Sequence, residues 1–353
     1  MWIKNNFFKY SFGIVLVLLI VFLFGQINFF LEPFKKFLEI IFAPLLVAGL
    51  LYYLFRPLVK LTRVIKLPKT LAILIVFLVF VIISSLIGTY AGSIISKQLK
   101  LLYNDLPQIT QTVRDKVIEL TSNESIAILF TGKVQDQLTI YAQKVIPAIS
   151  GGLFGILSAI INIASVLLVV PFILFFLLKD DQIFYRKSMN VIPQRYRNEI
   201  SCIIKETDKT LSIYIVGQAI IALILGVLTY IGYLAIGLKY SFILAFFVLI
   251  TSFIPLFGSV IGVIPAFFVG LAIDPFMCIK VLIIMVIVQQ IEGNLISPNI
   301  IGKRLAIHPL TIIFIFLGAA SLYGVTGMLI AVPVYAVLKV LAVGAGRIYK
   351  LKS

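Results

Sequence analysis

Long uninterrupted apolar runs alternate with shorter polar segments along this chain. Residues 71–95 contain no charged side chain over 25 positions, and residues 146–178 contain none over 33. About 20 consecutive apolar residues are enough to cross the hydrocarbon core of a bilayer as a helix. Because the backbone must satisfy its own hydrogen bonds in lipid, we interpret the runs as transmembrane helices. A β-barrel would instead show alternation in stretches of about ten residues.

The order of these runs predicts an all-α polytopic membrane protein with about eight transmembrane helices. Spans one to three lie within residues 1–95, span four covers residues 148–178, and spans five to eight lie within residues 211–353. The last of these regions, residues 211–353, contains the predicted transport site.

Two polar segments lie between the spans. In residues 96–147, apolar positions recur at helical spacing, which indicates an extramembrane amphipathic helical segment. Residues 179–210 are predicted to be a cytoplasmic polar helical segment. Within it, a helix is expected to begin at Pro193 and to run on towards span five.

Two regions of the C-terminal third are longer than one span. Residues 240–273 are uncharged over 34 positions, and residues 309–338, within the longer region 309–343, are uncharged over 30. Prolines and glycines interrupt both of them. Each region is either a single tilted span or a broken or re-entrant helical hairpin, and the count of eight depends on which form is present.

The basic residues predict the orientation of the chain. The loop between spans two and three contains Arg56, Lys60, Arg63, Lys66 and Lys69 and no acidic residue. Lysine and arginine are enriched in short cytoplasmic loops. Basic residues at both ends of the chain likewise place both termini in the cytoplasm. We therefore expect a multi-pass protein of the cell's inner (plasma) membrane.

Composition supports the membrane class and argues against the alternatives. Hydrophobic residues make up 61% of the chain and charged residues only 12%, about half the usual share of a soluble protein. A net charge of +16 is high enough to suggest a nucleic-acid partner. The basic residues lie in short loops between apolar runs, however, as is typical of membrane proteins, so we expect no nucleic-acid partner. Membrane lipid is the expected surrounding.

Residues that would indicate enzymatic chemistry are missing from the sequence. A single histidine and two distant cysteines, Cys202 and Cys278, favour neither a metal site nor a disulfide framework. The sequence contains no phosphate-binding Gly-x-x-x-x-Gly-Lys-[Ser/Thr] loop and no His-Glu-x-x-His helix. We therefore expect no enzyme activity, no catalytic residue, no cofactor and no metal. Because the phosphate-binding loop is missing, an ion gradient is the expected energy source for transport.

Glu292 is the first candidate for a transport site. It is flanked by apolar sequence on both sides. An ionisable group at membrane depth costs at least about 2.5 kcal/mol on insertion scales and is retained where it faces a cavity, a partner charge or a proton path. Glu292 therefore either binds a cation, a proton or a polar solute, or lies at the interface or forms a static ion pair with Lys303 or Arg304.

Four amides are candidate ligands beside this carboxylate. Gln290 and Asn294 are four residues apart and share one helix face, while Gln289 lies on the neighbouring face. Gln218 lies in an otherwise apolar span. Amide groups can coordinate a cation or bind a polar solute, and they equally well join helices by hydrogen bonds in membranes.

Prolines and glycines mark candidate helix breaks or gating positions. Gly293 and Pro298 would let the helix break beside Glu292, and Pro255 and Gly258 would form a second break that faces the first. Gly324 interrupts the last long run. Irregular backbone at membrane depth is tolerated only where it lines a cavity or is buried in protein. The alternative for Pro255 and Gly258 is a plain kink or loop at the end of a span.

The order and spacing of several short motifs resemble the autoinducer-2 exporter family of permeases over nearly the whole chain. The motifs are Pro171–Asp180, Ile192–Arg197, Tyr214–Gln218, Phe253–Gly258 with Gly262 and Pro265, Gln290–Asn294 with Pro298, Gly302-Lys303, His308-Pro309, and Gly324 with Gly327 and Pro333. The resemblance implies an integral membrane transporter that assembles as a homo-oligomer. Members are linked to export of autoinducer-2 or to sodium/proton exchange, and the resemblance does not fix the solute.

Three functions follow from the sequence as hypotheses. The first is an exporter-type permease that moves a small hydrophilic solute with the help of an ion gradient. The second is a sodium (cation)/proton antiporter in which Glu292 is the exchanging carboxylate. The third is a membrane scaffold that binds partners through residues 96–147 and 179–210. The sequence does not name the solute, the direction of flux, the coupling ion or the number of subunits.

Overall fold

The fold is built from α-helices and contains no strand in the part of the chain that the structure describes. This computed structural model describes residues 10–19, 28–62, 66–122, 164–255, 257–301 and 308–352. The helices in chain order are α1 (Tyr10–Leu19), α2 (Asn28–Thr62), α3 (Lys69–Ser122), α4 (Ala164–Val191), α5 (Gln194–Ala235), α6 (Ser241–Thr251), α7 (Gly258–Ile273), α8 (Pro275–Ile291), a π-helical turn (Glu292–Ile296), α9 (Ser297–Ile300) and α10 (Pro309–Lys352).

Among the described residues, five helical stretches are long and apolar enough to cross a membrane. They are Ile40–Thr62, Lys69–Leu102, Gln194–Ala235, Pro275–Ile300 and Gly327–Gly344. The prediction of an all-α polytopic membrane protein is confirmed. The number of eight spans stays a prediction, because large parts of spans one and four lie outside the described residues.

Helix α3 does not end at the predicted boundary between span three and the polar segment. It continues from Lys69 to Ser122 as one helix of 54 residues. Lysines and polar residues on one face do not stop a helix, and the apolar stripe beyond residue 96 continues the packing surface of the same helix. That part of the expected extramembrane segment is therefore helical but not separate from span three, and residues 123–147 lie outside the described residues.

The polar end of α3 contacts the start of α6. The side-chain oxygen of Gln98 accepts a hydrogen bond from the Ile243 N–H at 3.1 Å, and Asp105 accepts one from the Tyr240 hydroxyl. Burial, together with this hydrogen bond, raises the pKa of Tyr240 to about 12, so its hydroxyl remains a donor at neutral pH. Leu102 is buried in the same region. Part of the predicted amphipathic segment 96–147 thus packs against α6.

Helix α5 joins the second polar segment to span five without a break. It begins directly after Pro193, as predicted, and runs for 42 residues to Ala235. Proline fixes its own φ and lacks an N–H, so it suits the position just before a helix. The second half of α5 lies in the centre of the fold, where Tyr233 packs with residues of α6, α7 and α8.

The region 240–273 forms a hairpin of two short helices and is not a single tilted span. Helices α6 and α7 have 11 and 16 residues, fewer than the roughly 20 needed for a span. They pack closely because Gly262 has no side chain: a Cβ there would lie 2.6 Å from the Val248 Cα. In the other long region, α10 has non-helical backbone at Gly324, with φ 59° and ψ −142°. Neither region is one uninterrupted helix.

An ion pair joins the C-terminal end of α2 to the first half of α5. One guanidinium nitrogen of Arg56, Nη1, lies 2.7 Å from both carboxylate oxygens of Asp208. Tyr53 of α2 also lies close to the Asp208 carboxylate. The two charged side chains are 24% and 37% exposed, so the pair is only partly shielded from solvent. Lys69 and Asp181 form a second pair that joins the start of α3 to α4.

Replacing Asp208 by alanine is expected to lower the stability of the protein by about 1–2 kcal/mol. Removing one partner of a buried pair leaves an uncompensated charge, and partial exposure reduces that cost. The measurement is the thermal unfolding midpoint of the purified protein in detergent. Asp115→Ala is the control, because Asp115 is exposed and has no ion pair with another described residue. Equal midpoints for the two variants would show that the pair does not hold α2 and α5 together.

Candidate functional site

Glu292 lies at the start of a π-helical turn within an apolar helix. The turn covers Glu292–Ile296 and connects α8 to α9. A π-turn widens the helix locally and is often found at functional sites. Pro298 follows at the start of α9, so the helix changes its winding beside Glu292 but continues to Ile300. The structure thus has a π-helical irregularity where Gly293 and Pro298 predict a helix break, and a gating role for these two residues stays a prediction.

The Glu292 carboxylate contacts the amino-terminal end of α7. The Ser259 side chain makes a polar contact with it, and Ser259 is buried in the first turn of that helix. The partial positive charge at a helix amino terminus favours a negative group. Ser259 directly follows Gly258, so the structure brings the two predicted interruptions of the helices together at Glu292.

Gln218 is buried against the turn that connects α6 to α7. Its side chain is only 5% exposed, and its amide nitrogen donates to the Ser252 carbonyl at 2.6 Å. One residue earlier, a Cβ at Gly217 would lie 3.1 Å from the Ile301 side chain, so α5 also packs closely against the end of α9. Helix α5 contacts the π-helical turn as well. Gln218 thus contacts the turn at Ser252, and Glu292 contacts the start of the following helix at Ser259.

Pro255 lies in the turn between α6 and α7, which Gln218 contacts at Ser252. The turn runs from Ser252 to Phe257, and the Gly258 N–H donates to the Ile254 carbonyl at 2.9 Å. Pro255 is half-buried, whereas Gly258 is buried. Both therefore belong to the connection of a hairpin whose two helices are each too short to cross the membrane.

The other amides point elsewhere. The Asn294 side-chain nitrogen donates to the Gln290 side-chain oxygen at 2.8 Å, so the two residues share a face as their spacing predicts. Both are exposed, whereas Ser259 and Gln218 are buried. Gln289 is half-buried. The structure therefore does not bring Gln290 and Asn294 into the contact between Glu292 and Ser259.

Gly324 lies at a break in α10 and not in the Glu292 cluster. The residue is exposed, and no heavy atom lies within 4 Å of the position that a Cβ would occupy. The two arms of α10 nevertheless reach the hairpin turn, because Phe316 on one arm and Val332 on the other pack in the cluster of Tyr214 and Ile254. The positive φ of Gly324 is a backbone conformation that glycine adopts readily, because glycine has no Cβ that would clash with the backbone.

Three buried hydroxyls at this site were not predicted from the sequence. They belong to Tyr214, Ser252 and Ser259. The Tyr214 and Ser252 hydroxyls have no hydrogen-bond partner among the described residues. Tyr214 precedes Gln218 by four residues and so shares its helix face, a spacing that could have suggested the pair. Buried polar groups without a partner are uncommon and cost free energy.

The arrangement combines one carboxylate with uncharged donors and acceptors. Such groups suit a polar solute, a monovalent cation or a proton better than a tightly bound divalent metal, which takes several charged or oxygen ligands. In the described ranges, no group of three or more His, Cys, Asp or Glu side chains is placed to hold a metal ion. Lys303 and Arg304, the alternative partners of Glu292, lie outside the described residues.

Comparison with known proteins identifies the family. The profile of the AI-2E family transporters matches residues 12–343. The chain belongs to the AI-2E transporter family. "Putative transport protein YueF" of Bacillus subtilis (strain 168) is 37% identical over 99% of this chain and 96% of its own length. "Putative permease PerM" of Escherichia coli (strain K12) is 29% identical over 96% and 94%.

Membership in the AI-2E family makes this chain a multi-pass membrane protein of the transporter or permease type. The earlier resemblance to the autoinducer-2 exporter family is thereby confirmed. The matched residues include Gln218, Pro255, Gly258 and Glu292. In the fold, Gln218 contacts Ser252 just before Pro255, and Glu292 contacts Ser259 just after Gly258.

Proposed function

We propose that this AI-2E family chain moves a small hydrophilic solute across the inner (plasma) membrane with the help of an ion gradient, and that Glu292 is at the centre of the transport site. The observation that carries the proposal is the polar contact of Glu292, within an apolar helix, with Ser259 at the amino end of α7. A carboxylate within an apolar helix is costly and is retained for a cavity, a partner or an ion path.

The irregular helices around Glu292 support the same function. Transport sites in secondary transporters lie where discontinuous helices meet, with helix amino termini directed at negative groups. Here a hairpin of two short helices meets a π-helical turn, and Gln218 holds the hairpin from the other side. The buried hydroxyls of Tyr214 and Ser252 add polar groups that the described residues leave without a partner.

A cation/proton antiporter is the second candidate. It is favoured by the single carboxylate of the site, which could carry a proton in one step and a cation in the next. Ser259 and the turn carbonyls would supply neutral oxygen ligands of the kind that sodium binds. The scaffold hypothesis gains less support, because Gln98 and Asp105 of the polar segment after span three are engaged within the protein.

Flux measurements separate these functions. Purified protein is reconstituted into proteoliposomes that contain a pH-sensitive dye, and a sodium gradient is applied with and without a panel of small polar solutes. Under the proposed function, labelled solute moves and its rate depends on the ion gradient. A dye response to sodium without any solute favours the antiporter. If neither solute nor protons move, the transport proposal is wrong and the scaffold hypothesis remains.

Replacing Tyr214 by phenylalanine is expected to reduce flux severalfold without lowering the unfolding midpoint. The hydroxyl has no partner among the described residues, so removing it spares the desolvation cost of a buried polar group, about 1–3 kcal/mol. If that hydroxyl contacts the moving solute, flux still falls. The measurements are proteoliposome flux and thermal unfolding of the same preparation.

Tyr233→Phe is the matched control for this prediction. Its hydroxyl is also buried without a partner among the described residues, but Tyr233 packs in the core of α6, α7 and α8. We expect Tyr233→Phe to leave flux unchanged. Equal flux in the two variants would remove Tyr214 from the proposed path.

A further inference from the structure

A cavity of about 930 Å³ lies between α2, α4 and α5, at the basic end of span two. Its apolar walls include Tyr52, Phe172 and Phe176, and its charged lining includes Lys60, Lys205 and Asp180. The volume is within the range of small-molecule sites, which combine apolar walls with a few polar groups. None of these residues belongs to the cluster of Glu292, Ser259 and Gln218, so the cavity is a separate feature.

The charged side chains in this cavity that have no ion pair with a described residue favour an anionic ligand. Arg56 is neutralised by Asp208, and Asp181 is neutralised by Lys69. Lys60, Lys205 and Asp180 also line the cavity, and none of them has an ion pair with another described residue. The cavity lining itself has three basic and three acidic side chains, and Lys69, which pairs with Asp181 from outside the lining, brings the net charge to +1. Lysine binds carboxylate, sulfonate and phosphate groups as a point charge.

The walls of the cavity favour a ligand with an apolar part. Phe172 and Phe176 are 66% and 55% exposed in the described structure, although they line the cavity. Large exposed aromatic rings beside unpaired lysines form an amphipathic surface. An apolar body can cover the rings while an acidic group reaches the lysines.

We propose that this cavity binds an amphiphilic anion, with its acidic group on Lys60 and Lys205 and its apolar body along Phe172 and Phe176. Two sources share this chemistry. One is an anionic phospholipid of the adjacent leaflet, and the other is a soluble organic anion with an apolar ring. The inference goes beyond the transport site, and binding is measured without any flux.

Native mass spectrometry of the full-length protein released from detergent micelles tests the proposal. Three probes are titrated separately: phosphatidylglycerol, the zwitterionic lipid phosphatidylcholine, and naphthalene-1-sulfonate. We expect one bound phosphatidylglycerol or one bound naphthalene-1-sulfonate per chain, at concentrations where phosphatidylcholine does not bind. Binding of the lipid alone identifies a leaflet source, and binding of the sulfonate alone identifies a soluble source. If neither anion binds in preference to phosphatidylcholine, the proposal is overturned.

Charge variants determine whether the bound molecule occupies this cavity. Lys60→Gln/Lys205→Gln is expected to weaken anion binding about tenfold, because each lysine near a membrane surface contributes to the attraction of an anionic group. Lys239→Gln/Lys280→Gln removes two exposed lysines that do not line the cavity and is expected to leave binding unchanged. Equal weakening by the two double variants would overturn the proposal.

Asp180→Asn is an independent variant for which we expect the opposite effect on anion binding. Asp180 lines the cavity and repels an anion, so its neutralisation is expected to tighten binding severalfold. This variant adds no bulk and breaks no ion pair with a described residue, so it remains informative if the double lysine variant does not fold. Weaker anion binding by Asp180→Asn would contradict the assignment of an anionic ligand.

Discussion

Glu292→Gln is expected to reduce ion-coupled flux by on the order of 100-fold while the protein still folds. Glutamine keeps the size of the side chain and an oxygen that can contact Ser259, but it neither carries a negative charge nor exchanges a proton. Positioned proton-transfer groups typically contribute a factor of about 10² or more, which sets this expectation. The measurement is the initial rate of solute or sodium-dependent proton movement in proteoliposomes.

Glu206→Gln is the matched control for Glu292. Glu206 is a carboxylate on α5 that lies 3.4 Å from Arg347, and both side chains of this pair are 45% exposed. Exposed pairs of this kind contribute at most about 1 kcal/mol. We expect its neutralisation to leave flux unchanged. Full activity of Glu292→Gln, or an equal loss in the two variants, would remove Glu292 from the transport site.

Gly258→Ala is expected to destabilise the protein by about 3 kcal/mol or more and to abolish flux. A Cβ at this position would lie 1.9 Å from the carbonyl oxygen of Thr251 and 2.5 Å from its carbonyl carbon. These are backbone atoms, so the α6–α7 turn would have to open. Because this turn includes Ser252 and precedes Ser259, its contacts with Gln218 and Glu292 would be lost as well.

Gly318→Ala is the control for the turn variant. Gly318 lies within helix α10, and no heavy atom is within 4 Å of the position of its Cβ. Alanine in a helix interior is favoured over glycine by about 0.5–1 kcal/mol, so this variant should be as stable as the wild type or slightly more stable. The two midpoints are compared by thermal unfolding in detergent. Similar midpoints would show that the turn is not tightly packed.

Local features of the fold could be predicted from the sequence. The start of α5 at Pro193, the shared face of Gln290 and Asn294, and the interruption at Gly324 all depend on residues that are close together in the chain. Proline chemistry, helical periodicity and the backbone freedom of glycine act over a few residues. Such features are therefore visible in a pattern of apolar and polar positions.

The ends of the spans were harder to predict. Charged residues near position 96 suggested a boundary, but α3 continues through them to Ser122. A helix ends where its backbone hydrogen bonds stop and not where its surface becomes polar. Likewise, Gly293 and Pro298 suggested a helix break near Glu292, but the sequence did not show that it takes the form of a π-helical turn.

Contacts between distant residues were not predictable from a single sequence. Arg56 and Asp208 are 152 positions apart, and the cavity beside them is formed by three helices. Ser259 was not among the candidate residues because a serine in an apolar run has no distinguishing pattern. Its position became meaningful only when the fold placed it against Glu292.

The central claim is that residue 292 faces an aqueous path through the protein. It is tested by Glu292→Cys in a Cys202→Ser/Cys278→Ser background, with a membrane-impermeant hydrophilic thiol reagent added to proteoliposomes from each side. Ile283→Cys is the control, because Ile283 is exposed on the same helix within the span and faces lipid under this account. The account predicts labelling at position 292 and none at position 283. Absence of labelling at position 292 from both sides would contradict it.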